Sequence, residues 1–367
     1  MWSPSRSCLW TMTGFAPHCC IDHLEHIGKK SATIEDVAKL AGVSIATVSR
    51  AIRTPEKVAE STRKKVNAAI ARTGYTANAM AQNLRMQRSQ MVMILAESIS
   101  DPNFPGILIG LEKAANERDY GVLIGNTEGN IALEEKYMRF LSTGMADGLL
   151  LLTGHLPVAG WPQSPASSYP PLVSAYHPVN REDLSYVGVD DVAAAKIATE
   201  YLISLGHKRI VYITGPAGSA TSELRYKGYC DAMLEAYDKP EIWRIRADGT
   251  SEGGRAAVEL LFIRDTLPTA FFCFNDDSAI GVISALQSRR FDVPKDFSVV
   301  GFDDVPIASH VTPSLTTIRQ PRNRIGEMAM KHLLDNLPSR SIPTQTSLLH
   351  GDLIVRGSCG APNPLKQ

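Results

Sequence analysis

Features that would mark a membrane, secreted or enzymatic protein are absent from this sequence of 367 residues. No stretch approaches the roughly 20 consecutive apolar residues that a membrane-spanning helix needs. The six cysteines form no paired framework, which favours a reducing cytoplasm. The spacings GxxxxGK(S/T), HExxH, GxSxG and CxxC, typical of enzyme and redox sites, are also missing. The sequence therefore predicts a cytoplasmic protein with no catalytic residues, no cofactor and no membrane partner.

The formal net charge is zero, but the charges are unevenly distributed along the chain. Residues 31–90 hold ten Lys and Arg against four Asp and Glu, whereas residues 91–367 hold 25 against 32. A small basic segment ahead of a larger acidic body indicates a head that binds a polyanion. Residues 1–30 contain three histidines and two adjacent cysteines in a spacing that matches no closed zinc site. We predict a disordered extension there, or residues upstream of the true start, and no metal.

The basic segment has the pattern of short helices joined by a tight turn. Thr33 and Asp36 have the spacing of a capping box, and apolar residues follow at helical intervals. Gly42 interrupts this helix, and Ser44 is placed to cap a second one. A third helix is predicted near residues 61–73. This pattern predicts a helix-turn-helix, with an ordinary three-helix bundle as the alternative.

The motif DVAKLAGVSIATVSR, at residues 36–50, closely resembles the DNA-binding head of the LacI/GalR family of bacterial transcription regulators. The resemblance implies that Ile45, Ala46 and Arg50 read base edges in the major groove. Arg50 can pair with a guanine, whereas Ile45 and Ala46 offer only apolar contact. The residues placed to hold phosphates are Thr33, Ser44, Thr47 and Ser49. Ser44 is equally well explained as a helix cap.

Residues 75–90, YTANAMAQNLRMQRSQ, resemble the short hinge helix of the same family. In that family the helix pairs with its dimer mate in the minor groove. Asn78, Ala81 and Leu84 match the family pattern, but Ala77 replaces the usual proline, so the helix start is less pre-organised. Leu84 would be the apolar wedge that kinks the duplex, and the alternative is a leucine in the core of a linker helix.

From residue 91 onward the chain alternates apolar strand-like runs with amphipathic helices. Eight strands are predicted, in the segments MVMILA, GVLIGN, DGLLLL, PLVSAY, SYVGVD, RIVYIT, AFFCFN and FSVVGF. The repeated strand–helix order predicts parallel sheets covered by helices on both faces, and the length predicts two lobes. A ligand would then bind between the lobes at the carboxyl ends of the strands.

The order of DPNF, VGVDD, FNDD, GFDD and IRQP resembles the effector-binding core of the LacI/GalR family, which is itself similar to periplasmic sugar-binding proteins. Within the family, TPEKV, SDPNF and IRQPR point to a nucleoside-responsive member. The resemblance and the positions at strand ends give seven candidate effector-binding residues: Phe104, Tyr176, Asp190, Arg225, Asn275, Asp276 and Asp303. Core packing is the alternative for Phe104, helix capping for Asp276, and a turn or cap for Asp303. The aromatic that several relatives place in the cleft is replaced here by Gly249.

The expected architecture is an N-terminal three-helix DNA-binding head, a hinge helix and a two-lobed α/β core like that of periplasmic binding proteins. The predicted boundaries are 1–30 (extension), 31–76 (head), 77–89 (hinge and linker), 90–358 (core) and 359–367 (tail). Lobe 1 is predicted at about 90–189 and 320–344, and lobe 2 at about 190–319 and 345–358.

The resemblance implies a transcription repressor whose affinity for operator DNA is set by a small ligand, a nucleoside or a sugar. It also implies a homodimer, with a tetramer as the alternative, and possible action beside a second DNA-bound regulator. The rival readings are an enzyme and a secreted solute receptor. An enzyme would need the missing catalytic motifs, and a solute receptor would need an export signal and no basic head.

Overall fold

The computed structural model describes residues 32–76, 88–157, 170–337 and 344–363. The chain divides into two compact units, residues 1–82 and 83–367, which contain the predicted head and the predicted core. Within the described ranges, no helix is long and apolar enough to cross a membrane.

Three short helices form the head. They are α1 (Ile34–Ala41), α2 (Ile45–Arg53) and α3 (Glu60–Thr73), with a turn of 3-10 helix at Pro55–Lys57. The predicted capping box starts α1: the Thr33 amide donates to Asp36 at 2.9 Å, and the Asp36 amide donates to Thr33 at 3.3 Å. Gly42 has φ = 67°, the left-handed conformation that the turn between α1 and α2 requires. One fully buried valine from each helix forms the centre of the core: Val37, Val48 and Val66.

Lobe 1 of the core is built on a six-stranded parallel sheet. Its strands are β1 (Met91–Ala96), β2 (Gly121–Asn126), β3 (Gly148–Leu151), β4 (Leu172–Ala175), β5 (Ser185–Val189) and β11 (Thr346–Leu349). Their order across the sheet is β11–β5–β4–β3–β1–β2. The central strands are continuous apolar runs because helices cover the sheet on both faces.

Lobe 2 is built on a four-stranded parallel sheet in the order β7–β6–β8–β9. These strands are β6 (Ile210–Ile213), β7 (Trp243–Ile245), β8 (Ala270–Cys273) and β9 (Ser298–Val300). A separate antiparallel pair consists of β10 (Thr317–Arg319) and β12 (Asp352–Ile354). All eight predicted strands are present, whereas β7, β10, β11 and β12 were not predicted. Three of these four have three residues each, too few to show a periodic pattern.

The helices of the core follow the strands as the alternation predicts. They are α4 (Phe104–Asn116), α5 (Ile131–Ser142), α6 (Asp191–Ser204), α7 (Ala220–Ala236), α8 (Ser251–Leu261), α9 (Asp276–Ser288) and α10 (Arg322–Asn336). In lobe 1, α4 and α10 cross with their backbones nearly touching. A Cβ on Gly110 would lie 1.9 Å from the Asn323 carbonyl oxygen, and one on Gly326 would lie 2.1 Å from that of Ile107. Only glycine allows this approach, which fixes α10 on lobe 1.

The lobe boundary predicted near residue 345 is wrong for one strand. Residues 345–358 were assigned to lobe 2, but Thr346–Leu349 pairs in parallel with Ser185–Val189 and is the edge strand of the lobe 1 sheet. The chain leaves this edge strand and enters β12, which pairs with β10. The segments that connect the two lobes therefore lie near residue 190, near residue 320 and near residue 350.

Candidate functional site

The start of α2 presents an exposed surface of mixed polarity. Ile45 is 45% exposed although it is a large aliphatic residue, and Ala46 and Arg50 are also exposed. Ser44 caps the helix, because its side-chain oxygen accepts the Thr47 amide at 3.2 Å. Ser44, Ile45 and Ala46 lie at the helix N-terminus, the end that enters the major groove in helix-turn-helix proteins, whereas Arg50 lies in the last turn of α2.

The remaining head residues predicted to contact DNA are partly engaged within the head. The Thr33 hydroxyl donates to Asp36 at 2.8 Å, and the Ser49 hydroxyl accepts Arg53 at 2.9 Å. These contacts hold both hydroxyls at the protein surface, Thr33 exposed and Ser49 half-buried. The three hinge residues predicted from the sequence, Asn78, Ala81 and Leu84, lie outside the described residues.

A cleft of about 750 Å³ lies between the two lobes of the core. It is lined by residues that follow β1 and β4 in lobe 1, and by residues that follow β6, β8 and β9 in lobe 2. This is the carboxyl end of both parallel sheets, where the sequence placed the ligand. The volume lies in the range of cavities that hold small molecules.

Arg225 and Asp303, both predicted from the sequence, form the polar floor of this cleft. Arg225 extends from α7, and its Nη2 lies 3.9 Å from Asp303 Oδ1. The Arg225 guanidinium is fixed by two further bonds: Nε donates to Asp191 at 2.8 Å, and Nη1 donates to the Phe274 carbonyl oxygen at 2.5 Å. The Arg225 Cζ atom lies over the Phe302 ring, 3.5 Å from its centroid. Arg225 is therefore held rigidly, with one edge of the guanidinium facing the carboxylate.

Burial changes the acid–base properties of the cleft. It raises the pKa of Asp303 to about 6, although the nearby Arg225 guanidinium opposes the rise. Burial also lowers the pKa of His177 to about 4, and Arg225 adds to this effect. At neutral pH Asp303 is an acceptor of hydrogen bonds and His177 is a neutral imidazole. His177 Nδ1 lies 3.2 Å from the Thr221 hydroxyl, a contact between the lobes.

Two of the predicted effector-binding aspartates serve the fold instead. Asp190 caps α6, because its side chain accepts the Ala193 amide at 3.0 Å, and it does not line the cleft. Asp276 is fully buried and accepts the Thr317 hydroxyl at 2.5 Å and the Val305 amide at 2.9 Å. The prediction that Asp190 and Asp276 line the cleft is therefore wrong, because the Asp190 side chain binds a backbone amide and the Asp276 side chain binds a backbone amide and a buried threonine hydroxyl.

The other predicted residues lie in or beside the cleft. Tyr176 lines it and is held at φ = 67°, and its carbonyl accepts the Tyr186 hydroxyl at 3.2 Å. Asn275 lines it while capping α9 and donating to the Gly249 carbonyl oxygen at 2.8 Å. Phe104 is buried in lobe 1, where it lines a side pocket rather than the main cleft.

The side pocket has a volume of about 170 Å³ and adjoins the cleft through Tyr176 and His177. Its walls include the apolar residues Ala96, Phe104, Ile107 and Leu152, and its polar residues are Glu97, Ser98 and Asp101. This is a small apolar space with carboxylates beside it. A flat ring that carries hydrogen-bond donors at its edge would suit it.

Sequence reasoning missed Phe274, Asp277 and His177, all of which line the cleft. Phe274 places an aromatic ring beside Gly249, where the sequence had predicted none. A Cβ on Gly249 would lie 3.2 Å from this ring, and one on Gly215 would lie 2.7 Å from it. The two glycines thus make room for the ring. The available signal was an aromatic residue at a strand end and glycines on neighbouring loops. A single sequence does not show that these residues lie side by side in the fold.

A helix-turn-helix head ahead of a two-lobed α/β core with a cleft of ligand size defines a ligand-responsive DNA-binding regulator. Two family matches agree with this class: residues 33–78 match bacterial regulatory proteins of the lacI family, and residues 199–359 match the periplasmic binding protein-like domain. The HTH-type transcriptional repressor CytR of Escherichia coli (strain K12) is 36% identical over 90% of this chain and 97% of its own length. The chain therefore belongs to the lacI family of bacterial regulatory proteins.

Other relatives support the same assignment. The ribose operon repressor of Escherichia coli (strain K12) is 34% identical over 89% of this chain and 99% of its own length. The solved complex of the transcriptional regulator CelR with cellobiose is 30% identical, with a TM-score of 0.67, covering 89% of this chain and 99% of that one. The lac repressor dimer bound to operator and the anti-inducer ONPF has 25% identity and a TM-score of 0.80, covering 90% and 100%. These relatives are transcription regulators rather than enzymes, and the chain is an effector-controlled DNA-binding repressor.

Proposed function

We propose that the effector of this repressor is a nucleoside bound in the cleft of the core. The observation that supports this proposal is the pairing of a polar floor with an apolar side pocket. In this arrangement Asp303 accepts hydrogen bonds from the ribose hydroxyls, and Arg225 donates to a ribose oxygen. The base occupies the pocket beside Phe104, with its exocyclic donors toward Asp101. Tyr176 and Asn275 complete the lining.

A free sugar is the second candidate effector. It is favoured by the names of the ribose operon repressor and the cellobiose complex among the relatives. A monosaccharide would use the same floor but would leave the side pocket unfilled. The pocket would bury the apolar face of a base and so give a nucleoside the greater contact area.

The proposed mechanism couples this cleft to the head through a dimer. Two chains associate through their cores, and two heads contact two half-sites of an operator, with Ile45, Ala46 and Arg50 at the base edges. Thr33, Ser44, Thr47 and Ser49 hold phosphates, and Asn78, Ala81 and Leu84 enter the minor groove. The effector shifts DNA affinity by the difference between its affinities for the two states of the core. The proposal also allows a tetramer, and a second DNA-bound regulator as a partner. It places the protein in the cytoplasm.

Binding to the intact chain tests the effector class. Thermal unfolding is measured with ribonucleosides, free bases, pentoses, hexoses and disaccharides, and the best ligand of each class is titrated calorimetrically. We expect a nucleoside to raise the unfolding temperature most, and the variant Asp303→Asn to lose that response. A rise with sugars alone would replace the nucleoside by the second candidate.

Operator binding tests the DNA half of the proposal separately. We expect Leu84→Ala to weaken binding to the operator while the affinity for the effector stays unchanged. Normal operator bending and affinity in this variant would remove the wedge role from Leu84.

A further inference from the structure

The cleft is lined by carboxylates from both lobes. They are Glu97, Asp101, Asp248, Asp277 and Asp303. Among the described lining residues, the one guanidinium or ammonium group is that of Arg225, and the two imidazoles are those of His155 and His177. His177 is neutral at physiological pH because burial lowers its pKa to about 4. The surface that meets a ligand is therefore acidic.

The two remaining basic groups are already paired with buried acids. Arg225 forms its ion pair with Asp191, and the two side chains are 3% and 1% exposed. His155 Nε2 lies 2.8 Å from Glu134 Oε1, and the Glu134 side chain is 2% exposed. The Arg225–Asp191 pair therefore contributes no net charge to the cleft, and the His155 imidazole is already bound to Glu134. The carboxylates of the lining are thus left without an equal positive charge.

These carboxylates are close enough to influence one another across the cleft. Burial raises the pKa of Asp277 in lobe 2, and the charge of Asp101 in lobe 1 raises it further. Burial raises the pKa of Asp303, and after the opposing effect of Arg225 the charge of Asp101 also raises it. An additional negative charge placed between the lobes would meet the same repulsion.

The helices that begin at the cleft do not reverse this sign. Helix N-termini attract anions. However, Asp101 lies just before α4, and Asp277 lies in the first turn of α9. The first turn of α7 carries Glu223, which pairs with Arg244. Acidic side chains therefore offset the positive ends of α4 and α9, whereas the charge of Glu223 at the start of α7 is balanced by Arg244.

We propose that this cleft discriminates by charge: it accepts an unphosphorylated nucleoside and rejects the corresponding nucleotide. The inference rests on the proposed function and adds a limit to the chemical class of the effector. Each carboxylate about 8 Å from one phosphate charge would weaken binding by roughly fivefold at an effective dielectric constant near 40. With carboxylates on both lobes, we expect a 5′-monophosphate to bind at least about tenfold more weakly than its nucleoside.

Calorimetric titration of the intact chain tests this inference with matched ligands. The probes are the ribonucleoside that gives the largest thermal shift and its 5′-monophosphate, each at about 0.05 M and 0.5 M salt. The ratio of interest is the affinity for the nucleoside divided by the affinity for the nucleotide. We expect this ratio to fall at high salt, because salt screens the repulsion. We also expect Glu97→Gln combined with Asp277→Asn to reduce the ratio by about fivefold or more, mainly by strengthening nucleotide binding.

The control variant is Asp265→Asn. It removes the same kind of charge from an exposed loop at the opposite edge of the lobe 2 sheet, before β8. We expect it to leave the ratio unchanged. A nucleotide that binds as tightly as its nucleoside would overturn charge selection while the nucleoside proposal stands. If a folded protein binds neither ligand, both proposals fail.

Discussion

The Arg225–Asp191 pair offers a way to separate what holds the cleft together from what binds the effector. Both side chains are almost completely buried, and their bond is 2.8 Å long. Replacing Arg225 by Met keeps an unbranched side chain between Phe274 and Phe302 but removes the charge. Asp191 would then be a buried carboxylate without its partner, and the Phe274 carbonyl would lose its donor. A loss of effector binding in this variant alone would therefore be ambiguous.

The size of the effect follows from these contacts. Removing one partner of a buried ion pair destabilises a protein by ~3–5 kcal/mol, because the remaining charge stays in a poorly solvated site. In the second variant, Arg225→Met with Asp191→Asn, the stranded charge is gone. We expect it to recover ~2 kcal/mol or more of the lost free energy of unfolding. Neither variant should bind the effector, because both lack the guanidinium that faces Asp303.

Urea unfolding of the core, followed by circular dichroism, measures the stability, and calorimetry measures the binding. Arg244→Met is the matched control, because Arg244 pairs with Glu223 at the surface and lies 4.3 Å from the Tyr226 ring. Surface pairs contribute about 1 kcal/mol or less. If Arg225→Met costs no more than this control, or if the Asp191 substitution rescues nothing, the account of a buried, mutually dependent pair is wrong.

Three further predictions concern single residues. Asp276→Ala should lower the free energy of unfolding by ~2–4 kcal/mol, because the Thr317 hydroxyl and the Val305 amide lose their acceptor. Asp276→Asn should retain most of this free energy of unfolding, and equal losses for the two variants in urea unfolding would contradict the prediction. Effector affinity should fall about tenfold between pH 7 and pH 5, because Asp303 has a pKa of about 6 and only its ionised form accepts two hydroxyls, and calorimetry that shows the same affinity at both pH values would contradict this. Arg50→Ala should weaken operator binding by ~1–3 kcal/mol and relax specificity at one base pair, and unchanged anisotropy titrations on substituted operators would refute its role.

The head was largely predictable from the sequence because its signals are local. A capping box and a glycine turn fix the start and the end of α1, and an N-cap fixes the start of α2. The predicted Thr33 and Ser44 caps are both confirmed by their hydrogen bonds. The alternation of strands and helices in the core was equally legible. The edge strand at Thr346–Leu349 was not, since its partner Ser185–Val189 lies far away in the chain.

The cleft was predicted only in part, and the reason is the same at three places. The pairs Asp190–Asp191, Asp276–Asp277 and Asp303–Asp304 each follow the carboxyl end of a strand in the core. In the first pair one aspartate caps a helix and the other holds Arg225. The sequence shows that a pair of aspartates follows each strand, but it does not show which of the two carboxylates faces the ligand.

Which aspartate of a pair faces the cleft depends on the direction of its side chain, and this direction changes from one residue to the next. Neighbouring side chains on a helix differ in direction by about 100°, and in extended chain they point to opposite sides. Asp276 therefore turns into the lobe, where Thr317 and Val305 bind it, while Asp277 faces the cleft. In the third pair Asp303 faces Arg225 in the cleft, while Asp304 is held by Arg319 and Arg356. The partners that decide the outcome lie on β10, on α7 and near β12, and they meet only in the folded core. At each of these three strand ends, one carboxylate thus holds the structure and the other faces or orders the cleft. The site and the connections between the lobes are therefore built from adjacent residues.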